Sequence, residues 1–171
     1  MGMLVKLSSA LASLGTRTEF RFQTTADALD AVPENAVLTG EIVVSGTCVN
    51  TGRAYRIEGA VRVLRGFVCD RCLGTVSKAQ VYPFGEDFVR AGDEARAEDG
   101  AERFTEEGID IAPLVRDTIL TAQPLRNLCR DDCRGLCSRC GADLNRGDCG
   151  CDRRSLDPRL AGLADLLTKD D

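Results

Sequence analysis

Nine cysteines and no histidine in 171 residues set the chemistry this chain can do. Leaving Cys48 aside, the other eight fall into four short pairs: Cys69-x2-Cys72, Cys129-x3-Cys133, Cys137-x2-Cys140 and Cys149-x-Cys151. Two cysteines two residues apart can turn both sulfurs toward one ion, and structural zinc commonly takes four thiolates in a tetrahedron. Eight thiols fit two such sites, so the expectation is one or two zinc ions. Glycines beside the pairs (Gly74, Gly141, Gly150) fit the tight backbone such knuckles need, because glycine tolerates positive φ. Without histidine there is no Ser-His-Asp or Cys-His nucleophile, no histidine base and no mixed cysteine–histidine site. Sites closed by four thiolates also leave no open position for water or substrate. The chain is therefore read as a non-enzyme with no small-molecule substrate.

Loop length argues for a grouping. Only Gly141–Asp148 separates Cys137 and Cys140 from Cys149 and Cys151, so closing that loop costs little entropy. Cys69 and Cys72 then join Cys129 and Cys133, a site that would clamp the β part to the tail. The alternative places Cys133 in the distal cluster instead of Cys151, whose single-residue spacing from Cys149 is tight. A set of four thiolates does not by itself separate zinc from iron–sulfur ligation. A thiol redox sensor that releases zinc on oxidation is the rival functional reading, and disulfides after export are the remaining one. Cys48, within a strand pattern, reads as a small buried apolar residue.

Cysteine pairs mean metal or redox chemistry where the compartment is reducing. The opening MGMLVKLSSALASL is interrupted by Lys6, Ser8, Ser9 and Ser13, so it lacks the unbroken apolar run of a secretory signal. No stretch approaches the roughly 20 apolar residues of a membrane span. A cytoplasmic protein is expected. Its formal charge is -5, and zinc-bound thiolates would make it more negative, which favours a basic protein partner over a bare phosphate backbone. Eight arginines do thread the cysteine region (Arg126, Arg130, Arg134, Arg139, Arg146, Arg153, Arg154 and Arg159). They either screen thiolate charge or reach RNA phosphates; without interleaved aromatics, base stacking is not expected.

The elements that must position these cysteines follow from pattern. Apolar residues make up 43% of the chain but aromatics only 5%, with no Trp, so the core rests on Val, Leu, Ile and Ala. Residues 35–48 and 54–64 alternate as strands about a turn at Asn50-Thr51-Gly52, and a third strand lies within 75–89, with Pro83 marking an edge or bulge. The Cys69–Cys72 pair thus sits where two strands turn. Residues 91–108 hold seven acidic side chains and, alanines aside, Phe104 as the one apolar group, and read as a solvated linker. Asp110 is the candidate N-cap of an amphipathic helix carrying Ile111, Leu114, Val115, Thr118, Ile119 and Ala122 on one face, ended by Pro124. A short last helix opens at Asp157-Pro158 and lines up Leu160, Leu163, Leu166 and Leu167. The expected class is α+β: an antiparallel sheet with packed helices and a Cys-rich zinc-binding lobe. The expected segments are a mainly β domain over 1–90, the linker over 91–108, and a helix plus zinc lobe over 109–171.

The runs CDRCLGTV (Cys69–Val76) and CRGLCSRCGADLNRGDCGC (Cys133–Cys151), followed by LDPRLAGLADLL, resemble the YceD family. Residues 1–65 resemble it only in strand character, and Ser138 stands where many relatives carry proline. The resemblance implies a ribosome-biogenesis factor needed for accumulation of 23S ribosomal RNA and the large subunit. Its partner would be a ribosomal protein or the precursor large subunit, with ribosomal RNA reached through the arginine-rich lobe. Relatives without the distal cluster imply that Cys69 and Cys72 belong to the common core.

Overall fold

Two-residue alternation builds most of the molecule. The computed structural model describes residues 2–7, 13–91, 102–104 and 108–153. Its chain groups into two compact units, Met1–Val68 with Thr75–Asn127, and Cys69–Gly74 with Leu128–Asp171. The segment 109–171 is thus divided, its helix belonging to the first unit and its cysteines to the second.

The first unit is an α+β fold. Strands β1 (Leu4–Val5), β2 (Arg17–Thr24), β3 (Val37–Asn50), β4 (Tyr55–Val68), β5 (Thr75–Arg90), β6 (Glu102–Phe104) and β7 (Ile109–Asp110) accompany helices α1 (Ala26–Leu29) and α2 (Ala112–Thr121). The main sheet runs β2-β3-β4-β5-β6, and β1 pairs with β7. Every pairing is antiparallel except β5 with β6. The β3–β4 hairpin turns where expected: Gly52 takes φ 85 and donates its N–H to Asn50 Oδ1 at 2.8 Å. Pro83 pairs with Ala60 on β4, while β6 reaches only Phe88–Arg90 of β5. Proline therefore sits where β6 does not claim its missing N–H.

β2, with Arg17, Glu19, Arg21 and Gln23 outward and Phe20 and Phe22 half-buried against the core, adds an edge strand not anticipated from the sequence. β6 lies inside the segment read as linker and buries Phe104 to 4% exposure, edge-on to Tyr55. On the inner face Ile42, Val44, Cys48, Ile57 and Val61 are fully buried with Ile111, Val115 and Ile119 of the helical segment. Burial of each such branched side chain contributes about 1.5–3 kcal/mol. Cys48 is a core residue as read; desolvation pushes its thiol up to about 11.

Helix α2 begins later than expected. Asp110 is held extended by its pairing with Leu4, and the N-cap is Ile111, whose side chain makes no cap bond. The Asp110 carboxylate still accepts the Ala112 N–H at 3.0 Å, so it satisfies a first-turn amide from one position upstream. The expected helix from Asp157 lies outside the described residues. No helix of the described residues is long and apolar enough to cross a membrane.

Candidate metal centre

The described residues of the second unit form almost no hydrophobic core. Among its described residues, the buried side chains are Cys69, Cys133, Cys137 and Leu144. Apolar burial on that scale cannot offset the entropy of ordering some 30 residues, each costing about 1–2 kcal/mol of backbone freedom. What the unit does have is sulfur. Its eight cysteines form two groups, Cys69, Cys72, Cys129 and Cys133, and Cys137, Cys140, Cys149 and Cys151, the sulfurs of each lying within 4.8 Å of one another. This is the grouping the loop lengths favoured; Cys151, not Cys133, stands with the distal set.

Two loops of the same backbone design present the leading cysteines. In the β4–β5 loop, Cys69 N–H donates to the Gly74 carbonyl at 2.9 Å and Leu73 N–H donates to the Cys69 carbonyl at 2.9 Å. In the distal loop, Cys137 N–H donates to the Ala142 carbonyl at 2.8 Å and Gly141 N–H to the Cys137 carbonyl at 2.9 Å. In both, the fourth residue after the first cysteine is left-handed: Leu73 at φ 57 and Gly141 at φ 72. The glycine expected to serve the first loop, Gly74, lies one residue too late, and the exposed Leu73 takes the strained conformation instead. A left-handed L-residue costs roughly 1–2 kcal/mol. Leu73→Gly should therefore keep full metal content and raise thermal stability by about 0.5–1 kcal/mol, whereas β-branched Leu73→Val should lower it by at least as much. Paired thermal melts with metal analysis check this.

Amide dipoles converge on the sulfurs. Cys129 N–H points at Cys69 Sγ (3.3 Å), and with the N–H groups of Cys72 and Arg71 it draws the Cys69 thiol down to about 6. Cys137 is drawn to about 6 by the N–H groups of Cys140 and Arg139. The crowded partners move the other way. Cys129 is pushed up to about 12 by the Cys133 sulfur and by burial, and Cys151 to about 12 by the sulfurs of Cys140 and Cys149. In each quartet, then, one thiol is drawn down by backbone amides and another is pushed up by its neighbours' sulfurs, an opposition that positive charge among the sulfurs would relieve.

The spacing fits a bound metal ion rather than disulfides. Cys69 Sγ lies 3.9 Å from Cys133 Sγ, and Cys72 Sγ 3.7 Å from Cys129 Sγ. A disulfide needs about 2.05 Å, and all nine cysteines are free. Four sulfurs at about 2.3 Å from a tetrahedral zinc would stand about 3.8 Å apart. Either group of four thiols could hold a metal ion, and the donor set, the edge lengths and the converging amides all suit one.

Several positioning residues carried no sequence signal. Asn145 accepts the Arg134 N–H and the Arg130 guanidinium through Oδ1, each at 2.8 Å, and donates through Nδ2 to Cys133 Sγ at 3.5 Å and to Asp143 at 2.7 Å. It ties the chain ahead of Cys149 to the proximal quartet. Arg71 donates to the carbonyls of Asp131 and Cys133, and Gly135 (φ 72) leaves room for the Arg71 carbonyl, 2.9 Å from where a Cβ would stand. Of the arginines read as charge screens or phosphate contacts, Arg130, Arg146 and Arg153 pair with Asp132, Asp143 and Asp148.

Comparison with known proteins fits this arrangement. The family model described as large ribosomal RNA subunit accumulation protein YceD matches residues 55–167, a span that includes both quartets. An uncharacterized protein of Mycobacterium tuberculosis is 34% identical over 142 residues, covering 81% of this chain and 66% of its own length. One of Mycobacterium leprae is 29% identical over 122 residues, 67% of this chain and 54% of its own length. The chloroplastic large ribosomal RNA subunit accumulation protein YCED homolog 1 of Arabidopsis thaliana is 34% identical over 58 residues, covering 34% of this chain and 18% of that protein. The chain therefore spans less than two thirds of the length of these curated relatives. No solved structure matches it. With a family match over most of its length and both cysteine quartets inside that match, the chain belongs to the YceD family.

Proposed function

We propose that this protein is a cytoplasmic, non-catalytic zinc-binding factor that promotes accumulation of 23S ribosomal RNA and the large ribosomal subunit. The observation that carries the reading is the family match over residues 55–167. The two thiol quartets within it support the zinc assignment. Zinc would be held by Cys69, Cys72, Cys129 and Cys133 in one site and by Cys137, Cys140, Cys149 and Cys151 in the other. Bound there, it supplies cross-links between chain segments that bury little apolar surface among the described residues; the sulfurs complete its coordination and leave no position for substrate. The partner is a ribosomal protein or the precursor large subunit. The net charge of -5 favours a basic protein over naked RNA, and the pairing of lobe arginines with neighbouring aspartates weakens the case for a phosphate-binding lobe.

Two measurements test this. Elemental analysis of purified protein should give two zinc ions per chain, and affinity capture from cells should enrich large-subunit precursors or large-subunit proteins. Capture that recovers neither counts against the ribosomal role. The redox-sensor reading has one observation in its favour, the exposed Cys140. Mild oxidant should leave zinc content unchanged; stoichiometric zinc release with disulfide formation would replace the proposed function by that reading.

A further inference from the structure

Arg65 is the largest of the fully buried side chains, about 2% exposed, and it is a cation. Its Nε donates to Gln123 Oε1 at 2.8 Å and its Nη2 to Asn127 Oδ1 at 2.7 Å, and the guanidinium lies 4.8 Å from the Phe67 ring centre. All three partners are uncharged. No carboxylate forms an ion pair with Arg65 among the described residues, and its Nη1 makes none of these bonds. A buried charge is ordinarily paired, because burying it alone is costly. The C-terminal end of α2, two residues before Gln123, offers at most about half a compensating charge.

Arg65 is among the residues lining a cavity of about 410 Å³, together with Val32, Pro33, Glu34, Leu120 and Pro124. That volume is within the range of small-ligand sites, which pair apolar walls with a few fixed polar groups. We propose that this cavity is an anion-binding site whose ligand is a monovalent carboxylate bearing an apolar group, received by Arg65. Gln123 and Asn127 hold the guanidinium through Nε and Nη2, and the ligand would be received at Nη1. One cation balances one negative charge. Glu34 also lines the cavity, and its negative charge opposes any anion, most strongly one such as phosphate that carries more than one charge. Val32 and Pro124 are on the side of apolar substituents, so a bare anion is a poorer fit than an aliphatic acid. The carboxylate can belong to a free acid or to the C-terminus of a polypeptide, and this site is independent of the zinc centres and of the ribosomal role.

The test is an NMR titration of the intact zinc-loaded protein, following the Arg65 Nε–H signal and the Gln123 amide. N-acetyl-leucine should shift both saturably, and N-acetyl-leucinamide, which lacks only the charge, should bind at least tenfold more weakly. 4-Methylpentanoate and a hexapeptide ending in a free leucine carboxylate separate the two sources: the tighter binder identifies the natural one. Arg65→Met should abolish the response if it folds; the acid–amide comparison on unaltered protein decides the matter if it does not. Equal binding of acid and amide, inorganic phosphate binding as tightly as N-acetyl-leucine, or no saturable shift at Arg65 would each overturn the site.

Discussion

Cys69→Ser is expected to reduce bound zinc from two ions to one and to unfold the second unit while the sheet of the first persists. The magnitudes leave little room for a mild outcome. Structural zinc contributes about 10–16 kcal/mol of apparent binding free energy in small zinc-dependent modules, whereas whole domains are stable by about 5–15 kcal/mol. Among its described residues the second unit buries Leu144 and a few sulfurs, and these offer no other source of comparable size. Serine keeps the shape but binds zinc poorly, and at Cys69 it also removes the sulfur that accepts the Cys129 N–H. Metal analysis should show the loss of one ion. Limited proteolysis should show cleavage opening at Arg130 and Arg134, while the far-ultraviolet strand signal is retained. Cys137→Ser should likewise remove one ion, and Cys48→Ala, in the core, should remove none and cost about 1–2 kcal/mol. Two ions retained in Cys69→Ser, or none in the unaltered protein, would sink the zinc assignment.

How much of this was legible depends on the range over which each signal acts. The hairpin of β3 and β4 was readable because alternation and an Asn-Thr-Gly turn are local, and the observed strands Val37–Asn50 and Tyr55–Val68 contain most of the expected 35–48 and 54–64. The cysteine grouping was readable for a related reason: a short loop limits which sulfurs can meet, and the remaining four then have only each other. β6 was not readable. Three residues pairing in parallel, set among seven acidic side chains, carry no periodicity, and their strand character comes from β5. The edge strand β2 did carry a signal, Phe20 and Phe22 between charged neighbours, but the surrounding polar residues obscured it. Leu73 and Asn145 belong to a third kind. A left-handed leucine and an asparagine serving both backbone and sulfur have roles set wholly by three-dimensional neighbours, and composition marks neither.

The largest effect outside the metal centre should come from a single methyl group at Gly46 or Gly59. These glycines face each other across β3 and β4, in a row that continues to Phe20 on β2 and Phe84 on β5. The absence of two side chains lets the two rings fold inward over the sheet, which matters in a chain with so few aromatics. A Cβ at Gly46 would meet the Glu58 carbonyl oxygen, and would stand 2.7 Å from the Phe20 ring. At Gly59 it would stand 2.5 Å from the Ser45 carbonyl and 2.7 Å from the Phe84 ring. A ring can rotate away, but paired backbone in the middle of a sheet cannot. Overpacking of this kind costs typically about 1–3 kcal/mol and occasionally more, and rigid backbone on one side places both sites at the upper end. Gly46→Ala and Gly59→Ala should each lower Tm by roughly 6–12 °C, at about 2–4 °C per kcal/mol for a chain of this size. Gly85→Ala, on the neighbouring strand but with its nearest atoms 3.6 Å or more away, should change Tm by less than about 2 °C, since an exposed strand position normally falls within about 0.5 kcal/mol. Bound zinc should stay at two ions in all three variants. If Gly46→Ala melts with the unaltered protein, the glycine row is not what seats the two phenylalanine rings.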